Sequence, residues 1–563
     1  MDYKAKLADV LTPVFDHQLG QDVIYARIEK PKQLSHGDLA FPCFDLAKLQ
    51  RMAPQQIAQQ AAEVIRDPLF AKVEAVGPYI NVFLDKQQVA NKLIEEVLTE
   101  QEYFGESNIG RGGTVTIDMS SPNIAKPFSM GHLRSTVIGN AISLLLEKTG
   151  YKPVKINHLG DWGTQFGKLI VAYQKWGNEQ KVRQDTIKEL LNLYIMFHQK
   201  AELSSSLEDE ARLWFKKLED GDKEAQSLWQ WFREESLKEF NRIYNLLGIS
   251  FDSNHGEAFY NDKMDTVVDT LQENNLLTMS DGAHVVDLSD NGMPPCLIRK
   301  SDGATLYATR DLAAAFYRKQ TYDFAQSLYV VGNEQSLHFE QLIQVLKKLG
   351  FDWADSMHHI SFGMILKDGK KMSTRKGKVV LLEEVIQEAI DLAKLNIEQK
   401  NPTLADKEAV AHMVGVGAVI FHDLKNHRNN DVEFSLEDML RVEGETAPYV
   451  QYTFARACSL LEKGEFDTKV VASIDFQAEE AWPVVTEMMQ FKDVVSRAAN
   501  QYDPSIVAKY SVDLAQAFNK YYATVKILEN DEQKPSRLAF VKAVSIILKE
   551  SLRLLGIKAP KAM

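Results

Sequence analysis

A strand-to-helix turn at residues 120–136 carries the first side chains that could do chemistry. Its sequence, SSPNIAKPFSMGHLRST, follows a β-rich run and leads into a helical pattern that begins at Leu133. The start of a helix presents free backbone N–H groups and the positive end of the helix dipole, which together attract anions. Gly131 lets a ligand approach the backbone, His132 brings an imidazole and Lys126 a mobile positive charge. The turn therefore suits a nucleotide phosphate, although an isolated Gly-His pair is more often only a helix start.

A second candidate is the cationic stretch at residues 367–380, KDGKKMSTRKGKVV, which holds six lysines and arginines. A flexible loop of this kind can close over a polyphosphate and stabilise the charge that develops in a transition state. A solvated basic hairpin is the simpler interpretation of an arbitrary run of charge. The net charge of the whole chain is −13, so this concentration of cations is notable.

Two further stretches carry polar side chains at defined spacing. In LYATRDLAAAF, residues 306–316, Tyr307 and Asp311 are four apart and share one face of a helix that begins there. The structural alternative is an aspartate at a helix start beside a core tyrosine. NHLGDWGTQFG, residues 157–167, is a polar, glycine-rich loop.

The elements that position these stretches alternate between strands and helices. GTVTIDMS, YKPVKINHL and SLYVVG predict strands, and the helices are Leu133–Lys148, GTQFGKLIVAYQKWG and SLHFEQLIQVLKKLG. HHISFGMIL predicts one further strand at residues 358–366. Strands alternating with helices indicate a parallel sheet whose ligands bind at the carboxyl ends of the strands.

The remaining segments have other patterns. In the first unit, residues 1–107, VEAVGPYINVFLD predicts two strands around Gly77-Pro78, and LSHGDLAFP, residues 34–42, predicts a loop. Residues 178–270 predict a helical insertion within the α/β domain. From about residue 385 to the last residue the pattern is nearly all helical.

Composition limits the class of protein. A chain of 563 residues should divide into about three or four domains. No apolar run reaches the ~20 residues that span a bilayer, and the first residues lack a signal-peptide pattern, so we expect a cytoplasmic protein without a membrane partner. Cys43, Cys296 and Cys458 lack metal-ligand spacing and are expected to be reduced core thiols. A net charge of −13 excludes a global positive field for nucleic acid but permits a local basic groove.

Several of these motifs together resemble a known family. SMGH and KMST are similar to the His-x-Gly-His and Lys-Met-Ser-Lys signatures of class I aminoacyl-tRNA synthetases. SSPNIAKP, NHLGDWGTQFG, LYATRDLAAA, VVGNEQSLHFEQL, MSTRKG, GETAPYVQYTFAR and LLGIKAPKAM narrow the resemblance to arginyl-tRNA synthetases, from one end of the chain to the other.

The resemblance implies an α/β fold, with a doubly wound, Rossmann-like parallel-sheet catalytic domain that contains a helical insertion. It also implies an α+β N-terminal domain and an all-α C-terminal domain. The expected boundaries are 1–107 for an additional tRNA-contacting domain, 108–385 for the catalytic domain, 386–446 for a helical linker that contacts the tRNA stem, and 447–563 for a helical anticodon-binding domain.

The reaction implied by the resemblance is ATP-dependent ligation of L-arginine to tRNA(Arg) through an arginyl-adenylate, with release of AMP and pyrophosphate. Mg²⁺ would arrive with the nucleotide, and no metal site on the protein is expected. The insertion looks too short and too helical to be an editing domain. A monomer is expected, and the arginyl family usually requires its tRNA before it forms the adenylate.

The resemblance also assigns candidate site residues. The catalytic candidates are His132, Lys126, Lys371 and Ser373, and those for ATP are Ser129, Gly131, His132, Lys371 and Met372. The arginine pocket is expected to contain Asp118, Asn123, Tyr307, Asp311 and Gln335, with Asp311 as the main partner of the guanidinium group. The signature turn comprises Pro122, Asn123, Ile124, Ala125, Lys126, Pro127, Phe128, Ser129, Met130, Gly131 and His132.

The sequence departs from the signatures at two positions. Ser129 stands where the first signature has histidine, and Thr374 where the second has lysine. Lys126 is placed to supply the missing charge. These departures keep open a non-catalytic synthetase paralogue that binds tRNA or arginine, and more remotely a smaller nucleotidyltransferase.

Aromatic residues in the C-terminal helices are candidates for stacking on unpaired bases. They are Tyr449, Tyr452, Phe454, Tyr521 and Tyr522. Aromatics at helical spacing are usually core, and most of these five are assigned to it.

Overall fold

The computed structural model describes residues 3–31, 33–204, 206–300, 307–367, 369–371, 380–467, 474–477 and 479–563. The chain divides into two compact units. The first comprises Met1–Phe104, Arg456–Phe491 and Asp513–Leu548, and the second comprises Gly105–Ala455, Lys492–Val512 and Lys549–Met563.

The N-terminal part of the first unit is a small antiparallel sheet with helices. Its elements are α1 (Tyr3–Val14), α2 (Gln21–Arg27), β1 (Leu39–Pro42), α3 (Phe44–Gln50), α4 (Pro54–Val64), β2 (Phe70–Val76), β3 (Tyr79–Leu84) and α5 (Lys86–Glu100). The sheet order is β1-β3-β2, and the predicted turn at Gly77-Pro78 between β2 and β3 is confirmed. The prediction of a loop at residues 34–42 is wrong for its last four residues. Leu39 to Pro42 form β1, because their backbone pairs with β3 and Leu39, Ala40 and Phe41 are buried.

The second unit begins with the predicted strand–helix–strand–helix pattern. The elements are β4 (Thr114–Ser120), α6 (Leu133–Lys148), β5 (Lys152–Asn157) and α7 (Gln165–Trp176). Helix α6 has the predicted bounds and is buried along nearly all its length. A Cβ atom at Gly139 would lie 2.1 Å from Cβ of Met119, so glycine is what allows α6 to pack this closely on β4.

The helical insertion follows α7 and is confirmed. It contains α8 (Glu179–Gln184), α9 (Thr186–Ala201), α10 (Ser206–Glu219), α11 (Lys223–Leu247) and α12 (Met264–Glu273). Within it Ser253 already pairs with Ile156, beside β5. An antiparallel sheet that the sequence analysis missed comes next, formed by β6 (Leu277–Ser280), β7 (Ala283–Val286) and β8 (Cys296–Arg299).

The parallel sheet is then completed by α13 (Tyr307–Tyr322), β9 (Gln326–Tyr329), α14 (Ser336–Lys348) and β10 (Met357–His359). Its order is β10-β9-β4-β5 and every neighbouring pair is parallel, as the fold prediction requires. The prediction that residues 358–366 form one strand is wrong. Phe362 pairs with Gly332, and the Gly363 N–H donates to the Arg428 carbonyl at 3.0 Å, so the chain leaves the sheet after β10.

Another small sheet and a series of helices form the rest of the chain. The elements are β11 (Ile365–Lys367), β12 (Lys370–Lys371), α15 (Leu382–Lys400), α16 (Lys407–Leu424), β13 (Val432–Glu433), α17 (Leu436–Met439), α18 (Ala447–Lys463), α19 (Trp482–Met489), α20 (Phe491–Gln501), α21 (Ser505–Thr524) and α22 (Lys534–Leu554). The prediction of a nearly all-helical C-terminal part is confirmed, with β13 as the exception among the described residues. Phe454 and Tyr521 are core residues, whereas Tyr452 and Tyr522 are 43% and 40% exposed.

Two buried ion pairs join α6 to the later helices of the second unit. Near the start of α6, Arg134 contacts Asp423 of α16 at 3.0 Å. At its last residue, Lys148 contacts Glu550 of α22, also at 3.0 Å. Breaking a buried pair leaves an uncompensated charge and costs about 3–5 kcal/mol, so these contacts fix α6 at both ends.

The cysteines carry no disulfide: Cys43 and Cys296 are buried and Cys458 is half-buried. Burial raises the pKa of the Cys43 and Cys296 thiols to about 12. In the described part of the chain, every helix is too short or too polar to cross a membrane.

Candidate active site

The signature turn is held in a strained conformation by the insertion. The N–H of Lys126 donates to the Asn123 carbonyl at 3.2 Å, and Ala125 between them has a φ of +62°. Alanine rarely adopts this left-handed conformation, and such strain tends to occur at functional sites. The Ala125 N–H donates to the Ser236 hydroxyl of α11 at 3.2 Å, so the insertion helix supports the turn.

His132 is neutral at physiological pH and its tautomer follows from its contacts. The Ser129 N–H donates to His132 Nδ1 at 3.1 Å, and the Ser129 hydroxyl lies 3.2 Å from the same nitrogen. Burial lowers the pKa of His132 to about 4, and the nearby Lys126 charge adds to that shift. Because Nδ1 accepts, Nε2 carries the proton and is the donor available to a ligand.

The segment that follows the second signature lies against this turn. The Met130 N–H donates to the Val380 carbonyl at 3.2 Å, and the Leu382 N–H donates to the Phe128 carbonyl at 3.0 Å. Before the signature, the backbone of Lys371 pairs with Leu366. Met372, Ser373 and Thr374 lie outside the described residues, so their predicted roles rest on the sequence.

The loop after β5 also pairs with the turn. The Ile124 N–H donates to the Gly160 carbonyl at 3.1 Å, and the Gly160 N–H donates to the Pro122 carbonyl at 3.0 Å. A Cβ at Gly160 would lie 2.5 Å from Oδ1 of Asn123, so this approach requires glycine. The buried Asp161 carboxylate then pairs with Arg233 at 2.7 Å and fixes the rest of the loop.

A cleft of about 220 Å³ opens between the signature turn and the ends of β9 and β10. It brings together Gly131, predicted to contact ATP, and Gln335, predicted to contact arginine. The lining residues are Gly131, Arg134, Gly332, Asn333, Glu334, Gln335, Phe362, Gly363, Met364 and Ile365. Lys126 lines a separate small cavity with Gln165 and Tyr194, although its charge reaches His132.

Asp311 lies one turn into α13, between two imidazoles. Its Oδ2 is 2.7 Å from Nε2 of His338, and its Oδ1 is 3.9 Å from Nε2 of His158. The carboxylate is 27% exposed, so it remains accessible to a ligand. Tyr307, four residues earlier, is 68% exposed at the first residue of the helix.

Asp118 ends up in a different environment from Asp311. Its Oδ2 accepts a hydrogen bond from Nη2 of Arg318 at 2.8 Å, and the guanidinium is 1% exposed. Nη2 of Arg318 is also 3.4 Å from Nδ1 of His158. Asp118 and Asp311 are thus linked through Arg318 and His158.

Three of these residues are not among the predicted site residues: His158, Arg318 and His338. One local signal existed for each. Arg318 is seven residues after Asp311, hence on the same face of α13, and His338 is three residues after Gln335. His158 lies in the polar, glycine-rich loop at residues 157–167, whose composition predicted a site but no role for a particular side chain.

Three family models match the chain. Residues 93–436 match the catalytic domain of class I (R) tRNA synthetases, residues 450–563 the DALR anticodon binding domain, and residues 1–84 the arginyl tRNA synthetase N-terminal domain. The three matches together span most of the 563 residues.

Similar proteins and structures agree with these models. The arginine–tRNA ligases of Enterococcus faecalis and Exiguobacterium sibiricum are each 60% identical to the chain, and the alignments cover all of both proteins. The arginyl-tRNA synthetase structure of Plasmodium falciparum is 27% identical, has a TM-score of 0.79 and covers 99% of each chain. That of Thermus thermophilus has the same fold, with 24% identity, a TM-score of 0.78 and coverage of 95% and 96%. These matches show that the chain belongs to the arginyl-tRNA synthetase family of class I aminoacyl-tRNA synthetases.

Proposed function

We propose that the site described above activates L-arginine with ATP and transfers it to the terminal adenosine of tRNA(Arg). Family membership makes the chain an arginine–tRNA ligase, an ATP-dependent enzyme of protein synthesis with arginine, ATP and tRNA as substrates. The arginine carboxylate attacks the α-phosphate of ATP and pyrophosphate leaves. The tRNA hydroxyl then attacks the adenylate carbonyl and releases AMP.

The observation that carries this assignment is the single cleft shared by Gly131 and Gln335. One residue belongs to the predicted nucleotide set and the other to the predicted arginine set. A reaction that joins two substrates needs both held in contact, because most of the catalytic effect comes from positioning and charge stabilisation. A shared cleft supports that requirement.

We propose a role for each predicted residue, and the roles of Lys371, Met372 and Ser373 rest on the sequence alone. The neutral His132 donates from Nε2 to ATP, the backbone at Gly131 admits the nucleotide, and the Lys126 ammonium stabilises phosphate charge. Asp311 accepts the guanidinium group of arginine, and Asn123, Tyr307 and Gln335 complete the pocket. Lys371, Met372 and Ser373 act on the phosphates together with Ser129, and Asp118 belongs to the arginine pocket through its pair with Arg318.

Magnesium belongs to the proposal as a companion of the nucleotide. Among the side chains that the structure describes, no group of three or more His, Cys, Asp or Glu residues is arranged to hold a metal ion. We propose that Mg²⁺ enters bound to the ATP phosphates, where it neutralises charge on the oxygens of the leaving pyrophosphate.

The test is arginylation of bulk tRNA with labelled arginine, with and without ATP. The proposal requires label on tRNA that depends on ATP, on magnesium and on intact tRNA. A non-catalytic paralogue would bind tRNA or arginine and leave the tRNA unlabelled. Labelling with a different amino acid would overturn the substrate assignment.

We also propose that the enzyme is a monomer and acts in the cytoplasm. Light scattering at micromolar concentration gives the mass in solution, and a value of one chain mass supports the monomer. Cell fractionation with an antibody to the chain tests the location.

A further inference from the structure

We propose that His338 is a positioning residue for Asp311, and that it sets how arginine use depends on pH. His338 Nε2 and Asp311 Oδ2 are 2.7 Å apart. A carboxylate only accepts hydrogen bonds, so Nε2 donates and fixes the carboxylate plane. This inference rests on the proposed role of Asp311 as the guanidinium acceptor.

His158 contacts the other side of the same carboxylate. Its Nδ1 faces the Arg318 guanidinium at 3.4 Å, and a guanidinium can only donate, so Nδ1 accepts. Nε2 of the neutral ring therefore carries the proton and faces Asp311 Oδ1 at 3.9 Å. That distance exceeds a direct hydrogen bond. Of the two oxygens, Oδ2 is engaged by His338 and Oδ1 remains for the substrate guanidinium.

The consequence for binding is a competition between cations. A guanidinium binds a carboxylate best when the acceptor is fully charged and correctly oriented. Neutral His338 orients Asp311 without cancelling its charge. Protonated His338 is itself a cation at 2.7 Å, so it reduces the attraction of Asp311 for arginine. Arginine use should therefore fall under acidic conditions that protonate His338.

Other charged and titratable groups surround Asp311 and His338, and their effects on the pH profile must be distinguished from that of His338. They are Arg318 and Arg310 on α13, Asp118 on β4, Tyr329 on β9, and Asp161, Glu257 and Tyr260 on the neighbouring loops. Burial raises the pKa of Glu257 to about 7, and the nearby Asp311 charge contributes to that shift. A pH profile of the wild type alone would combine the effects of Glu257 and His338 on arginine use. The experiment must therefore compare variants.

The experiment measures steady-state arginylation for the full chain with His338→Phe, His338→Gln, Asp311→Asn and the double variant His338→Phe/Asp311→Asn. His338→Phe removes the donor, and its KM for arginine should rise about tenfold, with kcat and the KM for ATP within about twofold. His338→Gln keeps an N–H donor and should restore most of the loss. His198→Phe is the control, because His198 is a half-buried imidazole on α9.

Two further readouts separate positioning from general structural support. The double variant should be no worse than Asp311→Asn alone, because both changes remove one interaction. In the pH profile of kcat/KM for arginine, the fall on the acid side should move to lower pH in His338→Gln. Any change in kcat/KM that comes from the ionisation of Glu257 should remain in this variant. If His338→Phe does not fold, this profile decides the question.

Several results would overturn the inference. They are an unchanged KM in His338→Phe, an equal loss in His338→Gln, additive effects in the double variant, or an acid limb that does not move. Failure of Asp311→Asn to affect arginine would instead remove Asp311 from the pocket. Absence of any arginylation by the wild type would refute the proposed function itself.

Discussion

Arg318 donates a hydrogen bond from Nη2 to Oδ2 of Asp118 across 2.8 Å, and the two side chains are 1% and 10% exposed. Asp118 is thus already paired with a guanidinium group, one that belongs to the protein. A residue predicted to line the arginine pocket therefore also neutralises a buried arginine. The more exposed Asp311 is better placed to meet the guanidinium of the substrate.

Asp118→Asn should destabilise the protein more than Asp311→Asn does. It leaves Arg318 buried without a full charge partner, which costs about 3–5 kcal/mol when buried pairs are broken. Asp311→Asn should cost much less, because Asp311 is 27% exposed and retains water and His338 as partners. Thermal unfolding of the two variants measures the difference, and equal melting temperatures would contradict this account of Asp118.

Asp311→Asn should selectively weaken the use of arginine. Hydrogen bonds to charged groups contribute about 1.5–3 kcal/mol, so kcat/KM for arginine should fall by about 10- to 150-fold. The KM for ATP should change little. Asp323→Asn is a matched control, since Asp323 lies just past the end of α13 with its side chain 90% exposed. A normal KM and kcat for arginine in Asp311→Asn would remove this residue from the pocket.

The local sequence pattern predicted those helices and strands whose formation depends on residues close together in the sequence. The apolar spacing of α6 gave its bounds, Leu133–Lys148, and the β-rich run gave β4, because both signals are contained within the segment itself. The division of residues 358–366 into β10 and a separate β11 could not be predicted in this way. It depends on Gly332 and Arg428, which lie about 30 or more residues away in sequence from Phe362 and Gly363.

The same limit applies to the site. The resemblance named Asp118 and Asp311, but not the residues between them. Arg318 reaches Asp118 across 200 residues of sequence, and His338 reaches Asp311 across 27. Such contacts depend on which strand lies beside which in the sheet, and a single sequence does not carry that information.

Lys126→Ala should lower the rate of adenylate formation by about 100-fold and weaken ATP binding much less. Loss of one donor aimed at transition-state charge typically has an effect of this size. The Lys126 charge acts on His132, which is the proposed donor to ATP. Lys175→Ala is the control, because Lys175 pairs with Glu210 on the insertion.

Thr374→Lys should partly rescue Lys126→Ala. The reason is that Lys126 is proposed to replace the lysine absent from the second signature. The rescue is measured as single-turnover adenylate formation in the double variant. Additive losses with no recovery would show that the two positions have separate roles.

His132 should stay neutral down to about pH 4, and the protein should lose stability below pH 6.5. Its folded pKa of about 4 is lower than the ordinary value of 6.5, so the unfolded chain binds the proton first. The contribution of neutral His132 to the free energy of unfolding is therefore fully present above pH 6.5, and it is lost as the pH falls toward 4. Ring resonances of His132 in NMR report the titration. A midpoint near 6.5 would contradict the burial of this imidazole.

Activation of arginine should require tRNA, and the physical reason lies in the phosphate-binding turns. Ser129 and Thr374 replace two charged residues of the signatures, so the site without tRNA lacks part of its usual charge. Helix α6 begins directly after His132 and is joined to α16 through the buried Arg134–Asp423 pair at 3.0 Å. tRNA bound along the C-terminal helices can assemble the turn through this contact, provided that it binds the assembled form more tightly.

ATP–pyrophosphate exchange with arginine, measured with and without intact arginine tRNA, tests this requirement. Exchange should be negligible without tRNA and should appear when it is added. A chain of net charge −13 must bind RNA through a local basic track, so the stimulation should weaken steeply from low to moderate salt. Asp423→Asn should reduce stimulation by tRNA more than tRNA binding itself, because it breaks the link to α6. Brisk exchange without any RNA would refute the requirement, although membership of the synthetase family would stand.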